Sequence, residues 1–475
     1  MLNCLTPMFL TGMWFGGYER PDTDNYVSDP ATGARCHWLE SQDGDLESRC
    51  QDLLEDLDTA WTAQVAWGWH EPFADPGGPD HGGSTGLDIY LSRDAWWGAY
   101  TLSDYVDANP DDGLMGSYAY MVIDPRINAN EDHLYMAHEF NHVLQYATDF
   151  TEYSYPPWEG AATVAEEYTY PGEGSWQTVA VDFQIAPFAG MLMDGYWLYD
   201  YHDLYLYYEY GTALWFMYLQ DQGVEPPEFW DELVNDRQNW TNEPDAWDAW
   251  GTVTGDADLG LLDFALERGR IGTADPPSWS GDFPMGTKMR VTVDALDTEF
   301  LPENAPYSTG MAYFEVDLEG PLVLSVDSDS TTRWGAVAVA SNAVATAGEL
   351  PLSFEGPDLV AVVNLGPPGW DPDYGTTQAD FTLTVTEGEA ETDTDTDTDA
   401  DTDTDSDTDA DTDTDTNTDT TGDTGTDTPA DDTGVGPADT GDEGTGGCGC
   451  ATATPSSAPA WVLGLIGLMG LRRRA

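Results

Sequence analysis

The segment His138-Glu139-Phe140-Asn141-His142 places two imidazoles four residues apart, with a carboxylate directly after the first. Residues i and i+4 of an α-helix lie one turn apart on the same face, so both histidines could bind one zinc ion. Glu139 would project beside them, close enough to take a proton from an attacking water. The spacing therefore predicts a catalytic metal site. The alternative is a solvated helix face that carries two histidines.

A third ligand would come from a second helix. Sixteen residues separate His142 from Glu159, which lies in the segment PPWEGAATVAE. Two imidazoles and one carboxylate leave the fourth position of a zinc ion open, as in catalytic zinc sites. The alternative for Glu159 is an acid at a helix amino terminus, where the helix dipole favours it.

Apolar periodicity predicts the elements that would position these residues. The predicted helices cover 131–148, 159–168 and 208–220, and the predicted strands cover 86–92 and 117–124. The first helix has an apolar surface around its histidines, so it is expected to be buried.

The segments HEFNH and WEGAATVAE resemble the gluzincin peptidases, in particular the HExxH and EGxAxxxE pattern of the aminopeptidase-N group. They also look like a family of myxobacterial metalloendopeptidases that share a β-sandwich domain. This resemblance implies a zincin-like fold in which His138, His142 and Glu159 bind Zn²⁺. Glu139 would be the general base in that arrangement.

The same resemblance implies roles for three further positions. Glu166 matches the acid seven residues after the third ligand, and Thr163 lies one turn after that ligand. Either side chain could orient a ligating imidazole. The stretch YEYGTAL resembles the YExG segment whose tyrosine bonds the oxyanion, so Tyr208 takes that catalytic role. The alternatives are an ordinary helix acid for Glu166 and a core or rim tyrosine for Tyr208.

One departure from the family bears on specificity. Aminopeptidases of the group capture the substrate's free amine with a GxMEN segment, and GSYAYM at 116–121 lacks its Glu-Asn pair. An endopeptidase is therefore expected, with strand 117–123 pairing with an extended peptide. An aminopeptidase of the same clan and a non-catalytic surface adhesion module remain the alternatives.

The charge of the chain limits its partners. Its 475 residues include 89 Asp+Glu against 14 Lys+Arg, a formal net charge of −75. The first 390 residues alone hold 68 acidic and 11 basic residues. Such a surface repels phosphates, so nucleic acid and anionic lipid headgroups are excluded. A protein or peptide substrate is the expected partner.

The predicted fold class is α+β, and the pattern of the chain changes after residue 274. Short β-branched runs between turn signals then follow: MRVTVDAL, MAYFEVDL, LVLSVDS, GAVAVAS, LVAVVNLG and FTLTVTEG. They predict an antiparallel β-sandwich over 275–388, behind a zincin-like catalytic domain over 20–274.

The carboxyl end of the chain indicates export, whereas the amino end is a poor signal. Residues 1–19 are apolar without a preceding basic residue, which is typical of a remnant or poor signal segment. Residues 389–447 are rich in Asp and Thr and have no apolar face, so they predict a disordered linker. Residues 448–475 contain Cys448-Gly449-Cys450, an apolar run and three arginines.

This ending resembles the MYXO-CTERM sorting tail of myxobacterial surface proteins. The resemblance implies export, processing by a sorting protease near Cys448 or Cys450, and retention at the outer surface. Contact with a membrane would involve this tail only. The alternative is a simple tail anchor, which also places the body outside the cytoplasm.

A disulfide and a calcium site are two further hypotheses. Cys36 and Cys50 are spaced like a small disulfide loop, which would need an oxidising compartment; the alternative is two free thiols. A Ca²⁺ site is a further hypothesis for the acidic loop around Asp107-Asn109-Asp111. Asp112 stands there in place of the glycine that a helix-loop-helix calcium site would use.

Overall fold

The computed structural model describes residues 20–389, apart from 41–44, 96–97, 153, 203, 205–206, 235–242 and 373–375. These residues belong to one compact unit. The predicted segment 1–19, the linker beyond residue 389 and the sorting tail 448–475 lie outside the described residues. The described part has a mixed α+β fold, as expected.

The first sheet contains five strands in the spatial order β1-β2-β3-β5-β4. Their bounds are β1 Asn25–Ser28, β2 Arg35–Trp38, β3 Asp88–Leu91, β4 Ala99–Asp107 and β5 Ser117–Ile123. Strands β2, β3 and β5 pair in parallel, whereas β1 and β4 are antiparallel to their neighbours.

The expectation that strand 117–123 offers its edge to a peptide is wrong. This strand is β5, and it pairs with β3 on one side and with β4 on the other. Strand β4 lies at the edge of the sheet instead. Its pattern is hard to recognise because a β-bulge between Ser103 and Asp107 interrupts the alternation, and Tyr105 within it has a φ of 51°.

Ten α-helices are present in the described residues. They are α1 Leu46–Trp67, α2 Asp132–Thr148, α3 Tyr155–Thr169, α4 Trp176–Ile185, α5 Gly195–His202, α6 Tyr208–Gly211, α7 Ala213–Asp221, α8 Pro226–Asp231, α9 Ala246–Thr254 and α10 Ala257–Arg270. The three predicted helices are confirmed in place. The third is divided between α6 and α7 at Thr212, whose hydroxyl donates to the Pro156 carbonyl over 2.7 Å.

Helix α2 packs against α1 and α3 and also against strands β4 and β5. Its apolar side chains Met136, Phe140 and Leu144 are fully buried. A polar contact fixes its position: Gln64 of α1 donates to the Ala137 carbonyl over 2.8 Å. The expectation of a buried helix is therefore confirmed.

Cys36 and Cys50 form a disulfide bond that joins β2 to α1, with their Cα atoms 5.3 Å apart. The predicted pairing is confirmed, and the alternative of two free thiols is wrong. The bond attaches α1, which packs against α2, to the first sheet.

The second sheet has seven strands in the order β10-β9-β11-β8-β12-β7, with β6 beside β8. Their bounds are β6 Arg290–Val293, β7 Glu299–Phe300, β8 Met311–Asp327, β9 Trp334–Ala338, β10 Ala343–Ala345, β11 Leu352–Asn364 and β12 Thr382–Glu387. The predicted antiparallel pairing holds except between β6 and β8, which are parallel. The strands form one hydrogen-bonded sheet, and the two-layer β-sandwich stays a prediction. Residues 294–310 supply the long connection that parallel pairing requires.

Two predicted strands, 311–318 and 322–328, are in fact one continuous strand, β8. The turn signal Gly320-Pro321 lies within it, where Gly320 pairs with Gly356 of β11. Since the strand continues past this point on both sides, the glycine and proline mark an irregularity in the sheet rather than a hairpin.

The helices and the second sheet share a hydrophobic core. Tyr313 of β8 donates its hydroxyl to the Ala265 carbonyl of α10 over 2.7 Å. A Cβ at Gly269 would lie 2.7 Å from the side chain of Val339, so α10 approaches the sheet closely at this glycine. The domain boundary predicted between residues 274 and 275 stays a prediction. No helix among the described residues is long and apolar enough to cross a bilayer.

Candidate metal centre

His138, His142 and Glu159 meet in the interior of the protein. The imidazoles, one turn apart on α2, have their ring centroids 4.9 Å apart. Glu159, on α3, places Oε2 3.1 Å from His138 Nε2 and 3.5 Å from His142 Nε2. The three ligand atoms lie within 4.8 Å of one another, and none of these residues is more than 6% exposed. The group could hold a metal ion.

Gly160, which follows Glu159, permits the close approach that places this ligand. A Cβ at this position would lie 2.4 Å from the hydroxyl of Thr212. Any larger residue would therefore push α3 away from the junction of α6 and α7. The glycine in the EG pair thus has a steric explanation.

Glu166 holds the outer nitrogen of His138. Its Oε1 lies 2.9 Å from His138 Nδ1, and its Oε2 accepts the Ser175 backbone N–H over 2.8 Å. The position predicted for Glu166 is therefore confirmed. Thr163, the other position considered, has no hydrogen-bond partner for its hydroxyl among the described residues.

Gln145 holds the outer nitrogen of His142. Its Oε1 lies 2.6 Å from His142 Nδ1, and its Nε2 donates to the Trp158 carbonyl over 3.0 Å. Gln145 therefore links the second histidine to the residue that precedes Glu159. With Nδ1 engaged in both rings, each histidine directs Nε2 toward the Glu159 carboxylate.

Both nitrogens of His138 face carboxylates. Burial lowers the pKa of His138, but Glu159 and Glu166 outweigh it and raise this pKa to about 10. Burial raises the pKa of Glu159, but His142 and His138 bring it down to about 2. The group therefore stabilises positive charge between its ligands.

The donor set fits zinc. In the described part of the chain, no arginine or lysine forms an ion pair with Glu139, Glu159 or Glu166. A divalent cation would supply the missing positive charge. Two imidazoles and one carboxylate are a typical zinc set, whereas calcium and magnesium prefer oxygen ligands.

Glu139 lies beside the ligands and is 2% exposed. The hydroxyl of Thr101, on β4, lies 2.8 Å from its Oε2 and 2.9 Å from its backbone carbonyl oxygen. Burial raises the pKa of Glu139, and the two histidines and Thr101 oppose this without cancelling it. A carboxylate with a raised pKa accepts a proton more readily, as a general base requires.

The tyrosine that the structure brings next to the ligands is Tyr210. Its ring stacks on His138, with centroids 5.7 Å apart and an interplanar angle of 27°. Tyr208 is fully buried, and its hydroxyl donates to the Ala189 carbonyl over 3.0 Å rather than to a ligand residue. The oxyanion role expected for Tyr208 stays a prediction, and this position gives it no support.

A second group of potential ligands, Asp75, His81 and Asp104, is occupied by a cation of the protein itself. Arg20 Nη2 lies 2.6 Å from Asp75 Oδ2 and 3.2 Å from Asp104 Oδ2. This arginine already provides the positive charge that such a group needs.

The acidic loop around Asp107, for which Ca²⁺ binding was a hypothesis, contributes no residue to either of the two groups of potential ligands. Asp107 Oδ1 accepts the Asn109 backbone N–H over 3.2 Å, and Asn109 Oδ1 accepts that of Asp111 over 3.4 Å. These bonds stabilise the loop locally, and the calcium hypothesis stays a prediction.

Sequence reasoning missed Thr101, Gln145 and Tyr210. Gln145 had a usable signal, because a residue three positions after a histidine lies on the same helix face. Tyr210 stood in a run of tyrosines that spacing alone could not separate. Thr101 carried no signal, since its strand was not recognised.

The described residues thus define an α+β protein with a buried group, His138, His142 and Glu159, that could hold a metal ion. No protein-family model matches the chain, and no curated protein matches it either. The gluzincin and MYXO-CTERM resemblances therefore depend on the residues quoted above.

Proposed function

We propose that this chain is an exported zinc metalloendopeptidase with a zincin-like catalytic domain of the gluzincin type. The observation that carries the proposal is the buried group of His138, His142 and Glu159 beside Glu139. A carboxylate beside three ligands that leave a zinc position open is the arrangement used for metal-assisted hydrolysis.

Zinc held by these three residues would polarise the scissile carbonyl and lower the pKa of water. Glu139 accepts the proton of the water whose oxygen bonds to the carbonyl carbon. When the carbon–nitrogen bond breaks, Glu139 donates this proton to the leaving amine. Tyr210, whose ring stacks on His138, would donate its hydroxyl to the oxyanion.

The edge strand favours an endopeptidase over an aminopeptidase. An aminopeptidase needs a carboxylate for the free amine of its substrate, and the residue of β4 that reaches Glu139 is the uncharged Thr101. The acids of β4 lie further along, at Asp104 and Asp107, and Asp104 pairs with Arg20. The edge of β4 could pair with an extended peptide over its regular part, Ala99 to Ser103.

Export and surface retention form part of the proposal. The Cys36–Cys50 disulfide supports an oxidising compartment. The Asp/Thr-rich residues 389–447 would act as a disordered spacer, and residues 448–475 would be processed by a sorting protease. The net charge of −75 suits an exterior where salt screens self-repulsion.

The direct test measures metal content and hydrolysis together. Purified full-length protein is expected to contain about one zinc ion per chain and to cleave unfolded casein. A chelator should abolish cleavage, and added zinc should restore it. Peptides with acetylated amino termini should be cut as readily as free ones.

Each alternative gives a different result. Cleavage that requires a free amino terminus would indicate an aminopeptidase. Stoichiometric zinc without hydrolysis of any peptide would contradict the enzymatic proposal and favour an adhesion module. Absence of bound zinc after reconstitution would contradict the proposed zinc site itself.

A further inference from the structure

The hydroxyl of Thr101 makes a contact with Glu139 that the proposed mechanism leaves unused. Its Oγ1 lies 2.8 Å from the carboxylate oxygen Oε2 and 2.9 Å from the backbone carbonyl oxygen of the same residue. Thr101 is 3% exposed and Glu139 is 2% exposed, so neither side chain can exchange this contact freely for bulk water.

Thr101 is, among the described residues, the side chain that donates to the Glu139 carboxylate. A glutamate has three side-chain torsions, and rotation about them would move the carboxylate away from the ligands. A bond to Oε2 selects one orientation and leaves Oε1 for a substrate water. A hydroxyl that also contacts the Glu139 carbonyl is itself fixed against the helix.

The position of Thr101 in the fold adds a second reason. It lies on β4, opposite Met121 of β5, so its backbone is held by the sheet. Strand β4 is also the edge at which the proposed peptide substrate would pair. One hydrogen bond therefore connects the strand that would receive substrate to the base that would act on it.

We propose that Thr101 is the positioning residue for Glu139, holding the carboxylate in its reactive orientation from the edge strand. This inference rests on the proposed function, since it concerns the same general base. Thr101 touches neither the metal ligands nor the substrate's reacting atoms in this role. Its loss should therefore lower the rate of the chemical step and leave metal binding intact.

The test compares T101V and T101S with the wild type, each as full-length, zinc-loaded protein. T101V keeps the shape of the side chain and removes the hydroxyl, so kcat should fall about 10- to 100-fold, as expected for a displaced catalytic group. T101S restores the hydroxyl and should recover kcat to within about threefold of wild type. KM and zinc content should change less than about twofold in both variants.

Thr148 provides a matched control on the same helix as Glu139. It is also fully buried, and its hydroxyl donates to the Leu144 carbonyl over 3.0 Å. T148V removes a comparable hydrogen bond at the far end of α2, so it should lose stability without losing kcat. If T101V lowers kcat no more than T148V does, Thr101 is a structural residue and the inference is overturned.

Crystal structures of wild type and T101V separate this inference from the proposed function. The wild type should show the Thr101–Glu139 bond, and T101V should show the Glu139 carboxylate displaced or in several orientations. A single unchanged orientation in T101V contradicts positioning, whether or not the protein hydrolyses peptides. A wild type with the bond but no activity contradicts the proposed function and leaves the positioning of Glu139 supported.

Discussion

The Nδ1 atom of His138 lies 2.9 Å from Oε1 of Glu166, so the ring is fixed from the side opposite the metal position. Glu166→Leu would remove this acceptor and leave the imidazole free to rotate. We expect zinc affinity to fall about 10- to 100-fold, as for other residues that orient a ligating histidine. Competition titration with a chromogenic chelator measures the change.

The neighbouring acid is the control for this prediction. Glu167 is partly exposed and accepts the Gly172 backbone N–H over 2.7 Å, away from the ligands. Glu167→Leu should leave zinc affinity within about twofold of wild type. Equal losses in the two variants would show that Glu166 acts only through the stability of α3.

Gln145 is expected to matter for both metal affinity and stability. Gln145→Leu removes the buried hydrogen bonds to His142 Nδ1 and to the Trp158 carbonyl. We predict a loss of about 1–3 kcal/mol in the free energy of unfolding of the metal-free protein. Zinc affinity should fall as well, by about 10-fold or more.

Gln64→Leu is the control that separates a loss of stability from a loss of zinc affinity. Gln64 is also fully buried, and it donates to the Ala137 carbonyl and accepts from Asn141 Nδ2 over 3.0 Å. Gln64→Leu should destabilise the protein by a similar amount, measured by chemical denaturation, and keep zinc affinity. A Gln145→Leu protein that binds zinc like wild type would contradict the orienting role.

The two tyrosines of α6 give opposite predictions. Tyr210→Phe should lower kcat about 100-fold or more with zinc retained, because it would lose an oxyanion donor. Tyr208→Phe should keep kcat and lose about 0.5–1.5 kcal/mol of stability, because its hydroxyl bonds the Ala189 carbonyl. Steady-state kinetics and denaturation of both variants decide between them. A loss of kcat in Tyr208→Phe and not in Tyr210→Phe would instead support the oxyanion role that the family resemblance implies for Tyr208.

The disulfide is expected to stabilise the fold rather than the chemistry. Cys36 and Cys50 are 14 residues apart in sequence, and a closed loop of that length contributes roughly 3 kcal/mol. The double variant Cys36→Ser/Cys50→Ser should lose about this amount in urea denaturation and still bind zinc when folded. Unchanged stability would show that the bond does not form in the purified protein.

The group that could hold a metal ion was predictable from sequence because its geometry is local. His138 and His142 share a helix face by spacing alone, and the segment around Glu159 supplied a third ligand at a short distance along the chain. Helix α2 was also predictable as a buried helix from its apolar residues, although its burial extends all round the helix from Met136 to Thr148.

The contact that orients Glu139 could not be predicted, because it depends on tertiary structure. Thr101 and Glu139 are 38 residues apart, and their bond requires the position of an edge strand that a bulge disguises. The same limit explains the error at β5, whose pairing on both sides depends on where β4 is placed. The β6–β8 pairing was missed because strand patterns do not give direction.

The most direct test of the metallopeptidase account is Glu139→Gln, measured for zinc content and casein hydrolysis in the same preparation. Glutamine keeps the shape of the side chain but cannot accept the proton from water. Full zinc occupancy is expected, with hydrolysis reduced to background. A Glu139→Gln protein that binds zinc and still cleaves casein at the wild-type rate would contradict it.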